Sequence, residues 1–168
     1  MEFDFNSLDH TLFMREALKE AALAGEAGER PIGAVIVHRG RIVGRGRAEH
    51  RGRRNRIAHA ELNALLATAT GMYDFPHDNG VLYSTVEPCE MCLGAIVMSD
   101  VVNHVVFALA DRWINPAPML EMPHVQRHIL HYLGGVLEQE SIALWEKYNP
   151  GELALLRSGV RGAAPGLP

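Results

Sequence analysis

Apolar residues in the first quarter of the chain change from a helical spacing to an alternating one. The helical part predicts a helix from Asp9, a suitable N-cap, to Gly25. Its apolar stripe consists of Leu12, Phe13, Ala17, Ala21 and Ala24. Farther along, β-branched residues predict a strand over Ile32–His38, and Arg39-Gly40 predicts a tight turn into a second strand, Arg41–Arg47. The two strands therefore form a predicted hairpin.

The middle of the chain alternates between helical patterns and strongly apolar runs. Helices are predicted over Ala58–Thr70 and Cys89–Ser99, and buried strands over Val81–Thr85 and Val101–Leu109. Residues 71–80 contain proline and glycine and predict a loop. The helix over Ala58–Thr70 is expected to direct Leu62, Leu65 and Leu66 inward.

Patterns in the C-terminal third are weaker. Three prolines within Asn115–Pro123 predict a largely irregular segment. A short strand over His128–Leu133 and a helix over Val136–Lys147 follow. From Ser158 onward the chain is rich in glycine, alanine and proline, which predicts a disordered tail.

Strands that alternate with helices predict one α/β domain. We expect a three-layer α/β/α sandwich with a central five-stranded mixed sheet, spanning residues 1–157, followed by the tail at 158–168.

Composition is ordinary for a globular protein, with 48% hydrophobic and 21% charged residues in a chain of 168. No apolar run approaches the roughly 20 residues that span a bilayer. The N-terminus contains Glu2 and Asp4 and lacks the basic and apolar regions of a signal peptide. We therefore expect a cytoplasmic protein with no membrane partner.

Basic residues are concentrated in one segment, although the net charge is −4. Arginines occur eight times between Arg39 and Arg56, where the only acidic residue is Glu49. One interpretation is a solvated hairpin and loop. The other is that the segment lines the approach to a site and attracts an anionic substrate, RNA or a partner protein.

The chain has two cysteines, Cys89 and Cys92, separated by two residues in Pro88-Cys89-Glu90-Met91-Cys92. In a reducing compartment such a pair indicates a metal clip or a redox pair. Upstream, His59-Ala60-Glu61 has the spacing His-x-Glu, which is expected about once by chance in a chain of this composition. The hypothesis of a metal site therefore depends on the two motifs together.

Both motifs fall in the first turn of a predicted helix. Cys89 and Cys92 are three residues apart, so they share a helix face and reach one metal ion. Side chains in a first turn lean toward the N-terminus, so His59 and Glu61 also converge beyond the helix end. One imidazole and two thiolates leave the fourth position of a tetrahedral Zn²⁺ open, which is typical of a catalytic site.

These motifs resemble the His-x-Glu and Pro-Cys-x-x-Cys signature of the cytidine deaminase-like superfamily. The chain is most similar to the branch that contains tRNA adenosine deaminase, guanine deaminase and fungal cytosine deaminase. The similarity also includes Pro31 to Val35, the Glu87 to Ile96 run, Asp111 and the segment from Gly135 to Trp145.

The resemblance implies a zinc-dependent hydrolytic deaminase. His59, Cys89 and Cys92 would bind Zn²⁺, and Glu61 would move protons between water, a ring nitrogen and the leaving amine. It also implies that Ala34 and Pro88 lie where backbone groups contact the base, and that the protein forms a homodimer.

The substrate pocket departs from the family pattern. The position that usually carries a base-contacting Asn is Ala48, an Arg is replaced by Asp100, and the segment after Asp111 reads Arg112 to Pro116. Trp113 in that segment either stacks on a flat substrate or only packs. We therefore expect a small heteroaromatic amine as the substrate, with adenosine in the tRNA anticodon loop as the alternative. A zinc-binding module without activity is a third interpretation.

Overall fold

The computed structural model describes residues 3–74 and 79–160, which form a five-stranded sheet with helices on both faces. The strands are β1 (Gly33–His38), β2 (Arg41–Arg47), β3 (Gly80–Val86), β4 (Val102–Leu109) and β5 (His131–Leu133). Their order across the sheet is β2-β1-β3-β4-β5. β1 pairs antiparallel with β2 and β3, whereas β3, β4 and β5 run parallel. The sheet is mixed, and the predicted three-layer α/β/α fold is confirmed.

Seven α-helices, preceded by a short 3₁₀ helix at Phe5–Ser7, surround the sheet within the described part of the chain. They are α1 (His10–Glu26), α2 (Ala60–Met72), α3 (Glu90–Ser99), α4 (Ala117–Leu120), α5 (Pro123–His128), α6 (Glu138–Tyr148) and α7 (Pro150–Ser158). α1 and α6 pack together on one face of the sheet, and α2 and α3 pack on the other. The site motifs thus lie on the α2 and α3 side.

Strand β1 shows how one run of apolar residues fills both layers. Ala34 and Ile36 pack with α2 and α3, and Val35 and Val37 pack against α1. Successive side chains of a strand point to opposite faces, so a strand buried on both sides needs no polar positions. This explains why β1, β3 and β4 are nearly uniform in their burial.

The start of α1 and the turn between β1 and β2 follow from residues next to them in the sequence. The Asp9 carboxylate accepts a hydrogen bond of 2.9 Å from the backbone N–H of Leu12, as expected of an N-cap. Arg39 and Gly40 both have positive φ, 49° and 73°, which is the backbone of a two-residue hairpin turn. The predicted first helix and the hairpin are confirmed.

For two leucines, the prediction that they lie in the core is wrong. Leu12 is 52% exposed and Leu66 is 72% exposed. The buried side of α2 is formed by Ala64, Leu65 and Thr68, which leaves Leu66 on the outer side of the helix. Helix α2 also begins two residues later than predicted, because His59 has an extended backbone with ψ of 154°.

The C-terminal third is more helical than predicted. The segment predicted to be irregular contains α4, the predicted strand from His128 shortens to β5, and α5 and α7 were not predicted. In each of these three helices a proline occupies the first or second position. A proline lacks the backbone N–H that a first turn leaves unpaired, so it starts a helix as readily as it breaks one.

Ser158, predicted as the first residue of the tail, is the last residue of α7. The rest of the predicted tail, from residue 161 onward, lies outside the described residues, as do residues 75–78 of the predicted loop. Among the described residues no helix combines the length and apolar character needed to cross a membrane. The cytoplasmic location stays a prediction.

His104 is a polar residue buried on β4. It is 1% exposed, and its Nδ1 lies 2.9 Å from Nδ1 of His131. The rings of Phe3 and Phe5 lie 4.8 Å and 5.4 Å from the His104 ring, measured between centroids. Burial, with a smaller contribution from His131, lowers the pKa of His104 to about 4.

We expect His104 to make the protein sensitive to acid. Above a pH of about 6.5 the His104 imidazole is neutral in both the folded and the unfolded protein, so it does not make the free energy of unfolding depend on pH. As the pH falls from about 6.5 toward 4, the unfolded chain binds the proton first, so the free energy of unfolding decreases, by up to about 3 kcal/mol. Urea unfolding at several pH values should show that the free energy of unfolding decreases less on acidification in His104→Gln than in the native protein. The exposed His124→Gln is the control, and an unchanged pH slope in His104→Gln would contradict this origin.

Candidate active site

The two motifs meet where the N-termini of α2 and α3 face each other. His59 occupies the N-cap position of α2, and Cys89 occupies that of α3. Neither side chain makes a capping hydrogen bond with its own helix, so the imidazole and the thiol both point away from the helix ends. Glu61 and Cys92 lie in the following first turns.

A close approach of helix and sheet sets the position of α2. A Cβ atom at Gly46 would lie 2.2 Å from the carbonyl oxygen of Ala60 and 2.3 Å from the nitrogen of Ala64. Only a glycine on β2 allows the first turn of α2 to lie this close. The helix start that carries His59 and Glu61 is therefore fixed against the sheet.

The donor atoms match a zinc site. Nδ1 of His59 lies 3.6 Å from Sγ of Cys89 and 3.5 Å from Sγ of Cys92. A zinc ion bonded tetrahedrally to sulfur at about 2.3 Å and to nitrogen at about 2.05 Å places the two atoms about 3.6 Å apart. Within the described ranges this is the only group of three such side chains with ligand atoms close enough to share an ion. The residues present therefore fit Zn²⁺.

Electrostatics also favour a metal. The hydrogen bond from Cys92, and then that with His59, lowers the pKa of the Cys89 thiol to about 4. The same contact with Cys89 raises the pKa of His59. Cys92 is fully buried, and its hydrogen bond with Cys89 together with burial raises its pKa. These contacts favour the thiolate form of Cys89, which is the form that binds a metal.

Glu61 is the carboxylate nearest this group. It is 4% exposed, and its Oε1 accepts a hydrogen bond of 2.9 Å from the hydroxyl of Ser84 on β3. Its Oε2 lies 3.4 Å from Sγ of Cys92. Burial raises the pKa of Glu61, so the carboxyl group accepts a proton more readily than an exposed glutamate. A buried carboxylate beside an open metal position can exchange protons with a bound water and a substrate.

A cavity of about 660 Å³ opens onto these residues. Of the residues singled out from sequence, His59, Glu61, Cys89, Ala48 and Trp113 line it. Cys92, Ala34 and Pro88 are buried and are not among its lining residues. Ala34 pairs with Ser84 in the sheet, so it lies behind Glu61.

Several residues that line or support the cavity had been given no role from the sequence. Glu87 accepts hydrogen bonds of 3.0 Å from the Tyr132 hydroxyl and from the backbone N–H of Asp111. Asp111 in turn accepts 3.0 Å bonds from the backbone N–H groups of Trp113 and Ile114. This chain of contacts holds Trp113, 43% exposed, at the cavity rim. In the sequence, Glu87 and Asp111 were noted only as part of the family resemblance, and both lie just after buried strands.

Helix α7 and the residues near His50 were also missed. Glu152, Leu155 and Leu156 of α7 line the cavity. The His50 ring lies 4.9 Å from the His59 ring, edge to face, and its Nε2 is buried without a hydrogen-bond partner in residues 3–74 and 79–160. No local pattern distinguishes His50 from a solvated loop residue, because its surroundings come from distant segments.

Comparison with known proteins agrees with this geometry. The model of a family described as "Cytidine and deoxycytidylate deaminase zinc-binding region" matches residues 7–109. The chain is 36% identical over 131 residues to a tRNA-specific adenosine deaminase of Bacillus subtilis (strain 168), covering 77% of this chain and 81% of that protein.

Two solved structures extend the comparison. A structure from a study of A-to-I editing by tRNA:A34 deaminases superposes with a TM-score of 0.71 at 30% identity, over 80% of this chain and 99% of that one. A guanine deaminase from Bacillus subtilis superposes with a TM-score of 0.57 at 32% identity, over 62% of this chain and 66% of that one.

Proposed function

We propose, on the premise that this chain belongs to the cytidine and deoxycytidylate deaminase zinc-binding family, that it hydrolyses the exocyclic amine of a nucleobase. The observation that carries this proposal is the donor set, in which His59 Nδ1 and the two thiols already have the separations of a zinc site with Glu61 beside it. The reaction consumes one water, replaces the amino group by a carbonyl oxygen and releases ammonia.

The residues at the site have different roles in the proposed deamination. A zinc ion bound by His59, Cys89 and Cys92 would supply Lewis-acid activation of a water molecule at its open position. Glu61 would transfer the two protons of the water in turn, the first to the ring nitrogen and the second to the departing amine. Ser84 orients the Glu61 carboxylate through their hydrogen bond, and the cavity walls formed by Trp145 and Leu156 limit the access of bulk water.

Adenosine in RNA is the first candidate substrate. The tRNA-specific deaminase of Bacillus subtilis is similar over most of both chains, and the tRNA:A34 deaminase structure superposes over 80% of this chain. The cavity also opens at a surface rim that includes Trp113 and Met91, 43% and 39% exposed. A base that remains attached to a polynucleotide can enter such an open cavity.

A free heteroaromatic amine is the second candidate. Ala48 lines the cavity where relatives usually present an Asn to the base, so one polar contact of the family is missing. The similarity to a guanine deaminase and the net charge of −4 also favour a small substrate.

An ammonia-release assay with zinc-loaded protein discriminates the candidates. The panel should contain transfer RNA, an anticodon stem-loop, nucleosides, and free purines, pyrimidines, pterins and triazines, with products identified by mass spectrometry. Inosine in RNA alone would support the first candidate, and turnover of a free base alone would support the second. No turnover of any member would overturn the proposed activity and favour a zinc-binding module without catalysis.

We further propose a homodimer formed through the outer side of α2 and α3. Leu66 and Met98 are 72% and 75% exposed there, and Ile57 and Tyr73 are 57% and 83% exposed. Ile57, Leu66 and Tyr73 line an apolar depression that also includes Leu62 and Ala95. Large exposed apolar patches mark interfaces, and the family resemblance implies a second copy as the partner.

Leu66→Lys is expected to separate the dimer. Burying a lysine ammonium against an apolar partner surface is costly, so association should weaken by tenfold or more. Light scattering should give twice the 18.5 kDa chain mass for the native protein and the single-chain mass for the variant. Leu12→Lys, at a similarly exposed leucine on α1, is the matched control. A native protein with the single-chain mass at high concentration would refute the proposal.

A further inference from the structure

Six of the eight arginines in the arginine-rich stretch form two groups in the structure, and the other two, Arg39 and Arg41, lie at the hairpin turn. In the first group, each guanidinium has a carboxylate partner at 2.7, 3.1 and 2.6 Å, in the pairs Arg45–Glu16, Arg47–Glu20 and Arg53–Glu49. The second group, Arg51, Arg54 and Arg56, lines a cavity next to the active site. The solvated-hairpin interpretation therefore does not describe this second group.

This arginine cavity has a volume of about 710 Å³. It shares four lining residues with the active-site cavity, namely Arg30, His50, Arg56 and Glu152. The two cavities are therefore contiguous, and a group attached to a base in the inner cavity can extend into the arginine cavity. The unpartnered Nε2 of His50 lies at this junction.

Charge in the arginine cavity is not balanced. Arg30 is neutralised by two contacts with Glu152, at 2.6 and 3.3 Å. The Arg51 guanidinium donates only to the neutral carbonyl oxygen of Gly28, at 3.0 Å. The backbone N–H of Arg54 donates to the carbonyl oxygen of Arg51, but the side chains of Arg54 and Arg56 make no hydrogen bond or ion pair with any residue of 3–74 or 79–160. Two exposed guanidinium groups without a counterion at the mouth of a catalytic cavity favour an anion.

The loop that carries these arginines is held in place. The buried carboxylate of Glu29 accepts hydrogen bonds of 2.8 and 2.7 Å from the backbone N–H groups of Arg51 and Gly52. Arg54 has a φ of 48°, a left-handed conformation that non-glycine residues rarely adopt. A loop fixed in this conformation has less conformational entropy to lose when its side chains bind a ligand.

We propose that the arginine cavity binds a phosphate group of the substrate, attached to the same nucleoside whose base enters the active-site cavity. The inference deepens the proposed function, on which it rests, because it assigns the substrate to the nucleotides. The phosphate is either a phosphodiester of single-stranded RNA or the phosphate of a free nucleotide. Arg54 and Arg56 provide the uncompensated charge, and Arg51 provides a third guanidinium.

The test compares substrates that differ only in the phosphate. For a nucleoside that the zinc-loaded protein deaminates, its monophosphates and a short oligoribonucleotide containing it should have KM values about ten- to a hundredfold lower than the nucleoside. Arg54→Asn, at a residue outside the active-site cavity, should remove most of this advantage while kcat and the KM of the nucleoside stay within about twofold. Arg56→Gln should also remove most of the advantage. Asparagine tolerates the left-handed backbone at position 54, so the first variant removes charge without new strain.

Arg41→Gln on the hairpin is the matched control, because it removes the same charge outside both cavities. If the two variants raise KM only for the oligoribonucleotide, the phosphate belongs to RNA. If they raise KM only for a monophosphate, it belongs to a free nucleotide. Equal KM values with and without phosphate, or equal effects of Arg41→Gln and Arg56→Gln, would overturn the inference.

A binding measurement separates this inference from the proposed function. Calorimetric titration of the zinc-loaded protein with adenosine monophosphate, adenosine and the oligoribonucleotide needs no turnover. Tighter binding of a phosphorylated ligand that depends on Arg54 and Arg56 would support the cavity even if no ammonia is released. Deamination without such a preference would support the activity and refute the cavity.

Discussion

Replacing Glu61 by glutamine is expected to lower kcat for deamination by about a thousandfold while the fold and zinc content are retained. A positioned acid–base group contributes roughly 10²–10⁴ to a rate. Glutamine has nearly the same shape and can still accept the hydrogen bond that Ser84 gives to Glu61. It cannot take a proton from water or return one to the leaving amine, so only the proton transfers are lost.

The measurement is ammonia release by native and variant protein at equal zinc occupancy. Glu146→Gln, an exposed glutamate on α6, makes the same chemical change away from the cavity and should leave kcat unchanged. If Glu61→Gln turns over substrate at more than about a tenth of the native rate, another group moves the protons. A loss of zinc in Glu61→Gln would instead assign this residue a role in holding the metal.

Replacing Cys92 by serine is expected to abolish zinc binding, and with it both activity and zinc-dependent stability. Cys92 is fully buried in the first turn of α3, 3.5 Å from Nδ1 of His59. Serine fits the space but is a poor zinc ligand in place of a thiolate. A ligand that binds only the folded state stabilises it by about 2.7 kcal/mol at a concentration of 100 times its dissociation constant.

Urea unfolding with added zinc and with a chelator measures this effect. The native protein should unfold at a higher urea concentration with zinc, and Cys92→Ser should unfold at the same concentration under both conditions. Ser99→Ala near the end of α3 changes a hydroxyl in the same helix and should keep the zinc response. A zinc response retained in Cys92→Ser would argue against this ligand set.

Much of the fold follows from local patterns because the signals concerned act over a few residues. The Asp9 cap, the Arg39-Gly40 turn and the uniformly apolar strands are all set by neighbouring positions. The proximity of His59, Cys89 and Cys92 was also predictable, because each half-motif lies at the start of one helix.

Other features depend on segments far apart in the sequence. Leu66 was expected in the core because its spacing from Leu62 fits a helix face, and the position of the sheet decides which face is buried. Glu87 meets Tyr132 across 45 positions, and Arg30 meets Glu152 across 122. No periodicity encodes such pairs, so the shape of the cavity and the division of the arginines required the structure.

Glu29 and Asp111 anchor the two loops at the cavity mouth in the same way. Each carboxylate accepts hydrogen bonds from two successive backbone N–H groups, those of Arg51 and Gly52 or of Trp113 and Ile114. Any residue except proline supplies a backbone N–H, so these anchors constrain loop shape without constraining side-chain identity. Side chains at the cavity mouth can therefore be exchanged without loss of the two carboxylate anchors that fix the loops.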